Sequence, residues 1–230
     1  MSRSCSRSRR SAAAWALCLA LAGAPAARGD EPWQELYRDA GVTVSERAPH
    51  DGALPDFRGE VEIPAELYEV MAVILDIPNQ TAWMWQCRVS RVLRSEGDAS
   101  LVYQVIDAMW PATDRDVVLR SEPSVREPGH RLAVQFENRE DPAAPPVAEL
   151  VRMPRLAGDF ALEAIDASHT RVSYTVSADP GGALPAAFLA RTVRESPYDT
   201  LVGLRRRVAE TRGLYAKVAG DWRSRAATPR

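Results

Sequence analysis

Residues 179–218 read DPGGALPAAFLARTVRESPYDTLVGLRRRVAETRGLYAKV, and this stretch decides the fold. Leu184, Phe188, Leu201, Leu204, Val208, Tyr215 and Val218 recur mostly at steps of three and four, with Arg191, Arg194, Arg205, Arg206, Glu210 and Lys217 between them. That spacing predicts a long helix with one apolar face. Asp179-Pro180-Gly181-Gly182 is turn chemistry, since both glycines accept positive φ, and Pro185 suits a first helical turn where its missing N–H costs nothing. Pro197 removes a hydrogen bond inside the helix and crowds the turn before it. A kink or break near Glu195-Ser196 is therefore expected, giving two helical pieces.

An apolar helix face of this length needs a partner, and the chain before it reads mostly as strand. Residues 42–47 and 56–63 alternate, the latter with Phe57, Val61 and Ile63 on one side. The pieces 87–94, 100–109, 115–122, 131–138, 148–153, 160–165 and 171–177 follow as strands with short turn-prone links, which means antiparallel neighbours. Three helical pieces interrupt them: one entered through Pro32 over residues 31–37, one over 64–76 ended by Ile77-Pro78, and a short helix or turn over 79–85. Residues 140–146, EDPAAPP, predict a loop, and residues 221–230 a frayed, disordered tail. The order implies an α+β domain over residues 28–220, a sheet curled around a terminal helix with room between the layers.

Composition narrows the function. The chain is 230 residues long with 46% hydrophobic and 26% charged residues, ordinary values for one globular domain. Residues 1–27 differ in kind: Arg3, Arg7, Arg9 and Arg10 precede a short apolar run, and Ala24-Pro25-Ala26-Ala27 offers small residues at a cleavage point. This predicts a secretory signal peptide, hence a periplasmic or secreted protein. Without it, 25 basic face 31 acidic side chains, a net charge near −6, which argues against binding nucleic acid. Cys87 would then be the one remaining cysteine, so no intramolecular disulfide is expected.

Several short pieces, taken in order, carry a family resemblance. Met109-Trp110-Pro111 with Arg115-Asp116, Gly158-Asp159-Phe160, Val172-Ser173-Tyr174, Asp179 to Pro185, and Pro197-Tyr198-Asp199-Thr200-Leu201 running through Gly203 together resemble the START (StAR-related lipid-transfer) domain in its bacterial form. The resemblance implies a helix-grip fold in which a curved antiparallel sheet wraps the C-terminal helix and encloses a hydrophobic tunnel. It also implies a sterol, phospholipid or fatty acyl ligand carried between membranes, with transient membrane-surface contact. Phe160 stands where many members have tryptophan.

Trp83, Trp85, Tyr103, Trp110, Phe136, Phe188, Tyr198 and Leu201 are candidates to line such a tunnel. Arg120 either orients a ligand head or lies on the solvent side of the sheet. Arg115 and Asp116 are adjacent on a strand and point to opposite faces, one of them toward a tunnel mouth or both fixing a strand start. The strand over 100–109 is apolar on both sides and is expected to be covered on both. His50, His130 and His169 all fall in turns, with no metal spacing and no nucleophile motif beside them. A non-enzymatic, monomeric carrier without metal or cofactor is the expectation. A cyclase-like helix-grip enzyme and an interaction module whose cavity is filled by its own side chains are the alternatives. Residues 140–146, residues 179–182 and the kink at Pro197 are candidates for a gate.

Overall fold

The computed structural model describes residues 32–49, 54–108, 112–182 and 186–227, of which 186–192 by backbone alone. The expected signal segment over 1–27, His50 and Trp110 lie outside the described residues. In chain order the elements are β1 (Gln34–Asp39), β2 (Val42–Arg47), β3 (Asp56–Ile63), α1 (Leu67–Leu75), a 3-10 turn (Ile77–Ala82), β4 (Cys87–Glu96), β5 (Ala99–Ile106), β6 (Arg115–Glu127), β7 (Arg131–Asn138), β8 (Val151–Arg152), β9 (Arg155–Asp166), β10 (His169–Asp179), α2 (Ala186–Glu210) and α3 (Ala216–Ala227). One sheet runs β1-β2-β3-β10-β9-β7-β6-β5-β4 with antiparallel neighbours, and β8 adds a short parallel pair to β6. Helix α2 packs on β2, β3 and β10, which gives the expected sheet wrapped on a C-terminal helix.

Alternation explains which face is inside. On β3, Phe57, Val61 and Ile63 are buried on the inner side, and Gly59 shares that row. The glycine is needed there: a Cβ would lie 2.7 Å from Leu201 Cδ1 and 3.0 Å from Pro197 Cβ, both on α2. Helix α1 starts where the Glu66 carboxylate accepts the N–H groups of Tyr68 and Glu69 at 3.1 and 3.2 Å, and its Val70, Met71 and Ile74 enter the same core.

Three sequence expectations are corrected. Residues 34–39 form an edge strand, not a helix, because Ala40 (φ 46°) and Gly41 (φ 78°) make a tight hairpin that pairs Gln34–Asp39 with β2. Pairing with a neighbour outweighs a local helical pattern of three apolar residues. Helix α2 runs through Pro197 without ending, and the break falls at 211–215 instead, where Gly213 takes φ 77°. Past that break the tail expected to fray is helical to Ala227, with Ala219 buried and α3 packed on α1. In addition, the strand expected over 148–153 shortens to two residues.

The docking of α2 rests on contacts that tolerate no extra atom. Gly203 lies against the Trp83 carbonyl, where a Cβ would sit 2.1 Å from the oxygen. Thr200 Oγ1 accepts the Trp85 N–H at 3.3 Å, and Arg206 donates to Ala82 O at 3.1 Å. Gly203→Ala is thus expected to destabilise by about 1–3 kcal/mol through overpacking, although alanine in a helix interior ordinarily gains about 1 kcal/mol over glycine. Denaturant unfolding of the two proteins checks the sign; an increase in stability would show that the contact is soft.

Candidate functional site

The sheet, α1, the 3-10 turn and α2 leave a cavity between them. Its walls are apolar: Val102 and Ile106 from β5, Leu119 from β6, Val134 from β7, and Val193 from α2 are representative. A water centre can occupy about 120 Å³ of it. At about 24 cal/mol per Å³, leaving that space empty costs about 3 kcal/mol. A cavity on the order of 150 Å³ holds one benzene ring, so a larger guest must displace side chains.

An aromatic wall forms one side. Phe160 stacks on Tyr174 with centroids 4.4 Å apart, Phe136 stands 6.0 Å from Tyr174 and 6.3 Å from Phe160, and Trp83 meets Phe160 edge-on at 6.0 Å. Gly158 makes this possible, since a Cβ there would sit 2.8 Å from Phe136 Cζ and 2.0 Å from the Thr175 carbonyl oxygen. The Gly-Asp-Phe motif thereby has a physical reading: glycine for close approach and phenylalanine for the wall. Burial pushes the Tyr174 hydroxyl up to about 12, opposed by Ser196 across the cavity on α2.

Further polar groups enter the lining. Gln80, Ser90 and Gln104 form a buried set: Gln80 Nε2 donates to Ile74 O at 3.0 Å, while Gln80 Oε1 accepts from Gln104 Nε2 at 2.7 Å and from Ser90 Oγ at 3.1 Å. Cys87 lines the cavity as a free, buried thiol, and burial together with the field of Asp107 raises it from 9.0 to about 12. At one end Asp107 and Arg115 also contribute. Arg88 holds both Asp107, at 2.8 Å, and Asp114, at 2.9 Å.

Arg115 and Asp116 point to opposite faces, as their adjacency requires. Arg115 is 6% exposed and turns inward; its guanidinium donates to Thr113 O and, at 3.5 Å, to Gly181 O. Asp116 turns outward, fully buried, and accepts two bonds from Arg152 at 2.9 Å and one from Tyr103 at 3.1 Å. That outer side has its own small core, in which Leu101, Tyr103, Val105 and Val118 are covered by Ala144 and Leu150. The expectation that this strand is covered on both faces therefore holds. The same packing places residues 140–146 on the outer face, away from the cavity, which corrects their reading as a gate.

The sequence candidates are divided by this geometry. Phe136 lines the cavity, Trp85 lines it too, and Trp83 backs the wall through Phe160. Tyr103 belongs to the outer core, because residue parity on β5 sends Val102, Gln104 and Ile106 inward instead. Arg120 is on the solvent side, paired with Glu122 at 2.5 Å and Glu96 at 3.6 Å. Leu201 is buried against Gly59, and Tyr198 donates to the Asp39 carboxylate beside Tyr37, so both dock α2 rather than line the cavity. Of Phe188 the structure gives the helical backbone, and Trp110 lies outside the described residues. The reading of sequence missed Gln80, Gln104 and Cys87. Gln104 sits two residues from both Val102 and Ile106, so the parity of β5 alone was enough to aim it inward.

A sheet gripping a C-terminal helix around an apolar cavity is the architecture of the helix-grip lipid-binding proteins. The START domain family model matches residues 24–212, and the chain belongs to the START domain family. A crystal structure of a STAR-related lipid transfer protein from Xanthomonas axonopodis is 30% identical, superposes with a TM-score of 0.70 and covers 77% of this chain and 98% of that one. Human StAR-related lipid transfer protein 5 shares the fold with a TM-score of 0.71 at 20% identity, over 77% of this chain and 86% of its own. An uncharacterized Pseudomonas aeruginosa protein is 28% identical over 76% of this chain and 86% of its own length.

The Cys87 thiol gives a measurable pH signature. Its folded value, about 12, lies above the ordinary 9.0, so the unfolded chain loses this proton first as pH rises. Stability from this group is intact below pH 9.0 and falls between 9.0 and about 12, at about 1.4 kcal/mol per pH unit. Cys87→Ser is expected to remove that part of the alkaline loss, read as the difference between the two proteins in denaturant unfolding at pH 8 and pH 11. Equal pH slopes for the two would refute the assignment.

Proposed function

We propose that this START-domain protein holds a sterol, phospholipid or fatty acyl lipid in its cavity and carries it between membranes outside the cytoplasm, as a monomer that touches membranes transiently. The observation that carries the reading is the apolar cavity between α2 and the inner face of the sheet. Each CH₂ that leaves water for such a site contributes about 0.8 kcal/mol, so one acyl chain supplies ample driving force against the ordering cost of binding. The volume of about 120 Å³ favours a single chain threaded between movable side chains over a rigid ring system seated whole. The lipid-transfer relative from Xanthomonas axonopodis, similar over nearly its full length, supports carriage.

Carriage is favoured over catalysis by the state of the lining groups. Cys87 and Tyr174 hold their protons up to about 12, and Asp107 is engaged by Arg88. Neither Cys87 nor Tyr174 is poised to exchange a proton near neutral pH. His130, in the turn between β6 and β7, and His169, the first residue of β10, lie beside Glu163 and Asp166 respectively. For release, residues 179–182 are the candidate gate, since Pro180 lines the cavity and Gly181 and Gly182 take positive φ. No described helix is long and apolar enough to cross a membrane. The basic and apolar character of residues 1–27 supports export.

Mass spectrometry of organic extracts tests the reading on protein purified without detergent. A stoichiometric lipid is expected, and Val134→Phe, which fills the cavity from β7, is expected to lower bound lipid at least about tenfold while leaving a cooperative unfolding transition. A chemically altered guest would favour a cyclase-like enzyme. No guest, with no uptake of fluorescent lipid or sterol, would favour an interaction module. Amino-terminal sequencing of the exported protein is expected to begin at Arg28, after cleavage behind Ala27.

A further inference from the structure

The buried charges near the cavity are treated unequally. Asp116 has its full complement, two bonds from Arg152 and one from Tyr103. Gln80, Ser90 and Gln104 satisfy one another. Arg115, one residue from Asp116 and 6% exposed, has no carboxylate within 4 Å among the described residues; its bonds go to the carbonyls of Thr113 and Gly181. The carboxylate whose charge acts on it, Asp114, is committed to Arg88 and to the Ala108 N–H. A guanidinium stays charged in a protein and offers five donors in a planar fork, so an unmatched one at the end of an apolar cavity is an open site for a carboxylate or phosphate.

We infer that the cavity takes an amphiphile with an anionic head, and that the Arg115 guanidinium pairs with that head's carboxylate or phosphate. This rests on the lipid-binding reading above and names the class of lipid. The geometry fits a head-and-tail guest. Arg115 stands opposite Ile106 on β5, so the head lies at the end of the cavity bounded by the 179–182 turn, and a tail runs toward Leu119, Val134 and Phe136. Gly182 borders the guanidinium: a Cβ there would sit 3.7 Å from Nη2, in ordinary contact. Desolvation depresses the proton affinity of Arg115, opposed by the field of Asp114, which marks the cation as incompletely compensated by the chain's own groups. A paired anion relieves that burden and in the same step fixes the polarity of the guest.

Calorimetric titration of the purified protein with dodecanoate, dodecyl phosphate and dodecanol tests this. The acids are expected to bind about 10- to 100-fold more tightly than the alcohol, the span of a charge-assisted bond in a buried site. The stronger of the two acids names the head chemistry. Arg115→Lys is expected to keep a preference for acids, while Arg115→Gln is expected to lose it, the acids binding no more tightly than dodecanol. Equal affinity for alcohol and acids in the wild type, or a preference surviving Arg115→Gln, overturns the inference and leaves the cavity reading intact; uptake of none of the three overturns that reading itself. Should Arg115→Gln fail to fold, carboxyl-¹³C dodecanoate bound to the wild type decides. A bound carboxyl titrating below the free acid is expected, and one titrating above it overturns the pairing.

Discussion

Everything in this fold hangs on how closely one helix backbone approaches two others. Gly203 of α2 rests on the Trp83 carbonyl, and Gly59 of β3 receives Leu201 and Pro197 of the same helix. These contacts all lie beyond the cavity-lining residues along α2, so the helix is clamped over its second half. Its first half, through Val193 and Ser196, is left to form a wall. The Pro-Tyr-Asp-Thr-Leu run is thereby an anchoring device: Pro197 and Leu201 for β3, Thr200 for the Trp85 amide, Tyr198 for Asp39. The apolar face divides accordingly. Leu201, Leu204 and Val208 fill a solid core, while Val193 and Ser196, before Pro197, face the void.

The Arg115-Asp116 pair shows how one strand can serve two cores. Successive side chains leave a strand on opposite faces, so neighbouring opposite charges cannot neutralise each other across the sheet. The outward carboxylate is resolved within the protein by Arg152 and Tyr103, with the hydroxyl of Tyr103 held protonated by burial and by the adjoining charge of Asp116. The inward guanidinium meets carbonyl oxygens instead. Fully paired buried ions specify structure, whereas a buried ion without its counterion is costly unless something else arrives to meet it.

The fold was legible because most of its elements carry strong local patterns. Residues 56–63 and 131–138 alternate cleanly and are strands at those bounds; residues 67–75 repeat apolar side chains at helical spacing and form α1. Where the answer depended on partners, local pattern misled. The Trp33, Leu36 and Tyr37 cluster resembles a helical stripe, yet the hairpin at Ala40-Gly41 enforces pairing with β2. The end of α2 is set by Gly213 and not by Pro197, because packing on β3 carries the helix past its weak point. The site was less legible for a simple reason. Aromatic character marks residues fit for burial, but the choice among cavity wall, outer core and helix anchor rests on strand parity and on which glycines admit a neighbour. Phe136, Tyr103 and Tyr198 are equally aromatic, and the structure gives each a different one of those places.

The second core on the outer side of β5 and β6 makes the molecule mechanically lopsided. Leu101, Tyr103, Val105 and Val118 are sealed by Ala144 and Leu150, and Arg152 ties Ala144 O to Asp116 at 2.9 Å on both sides of the seal. This part of the sheet is thus laminated, buried above and below, and bending it would expose two apolar layers at once. The opposite flank ends in the largely exposed edge strand β1 and holds α2 through side-chain bonds such as Tyr198 to Asp39 and Arg205 to Ala40 O. Stiffness is therefore unevenly distributed, and any dilation of the cavity is a displacement of the helix against a rigid plate.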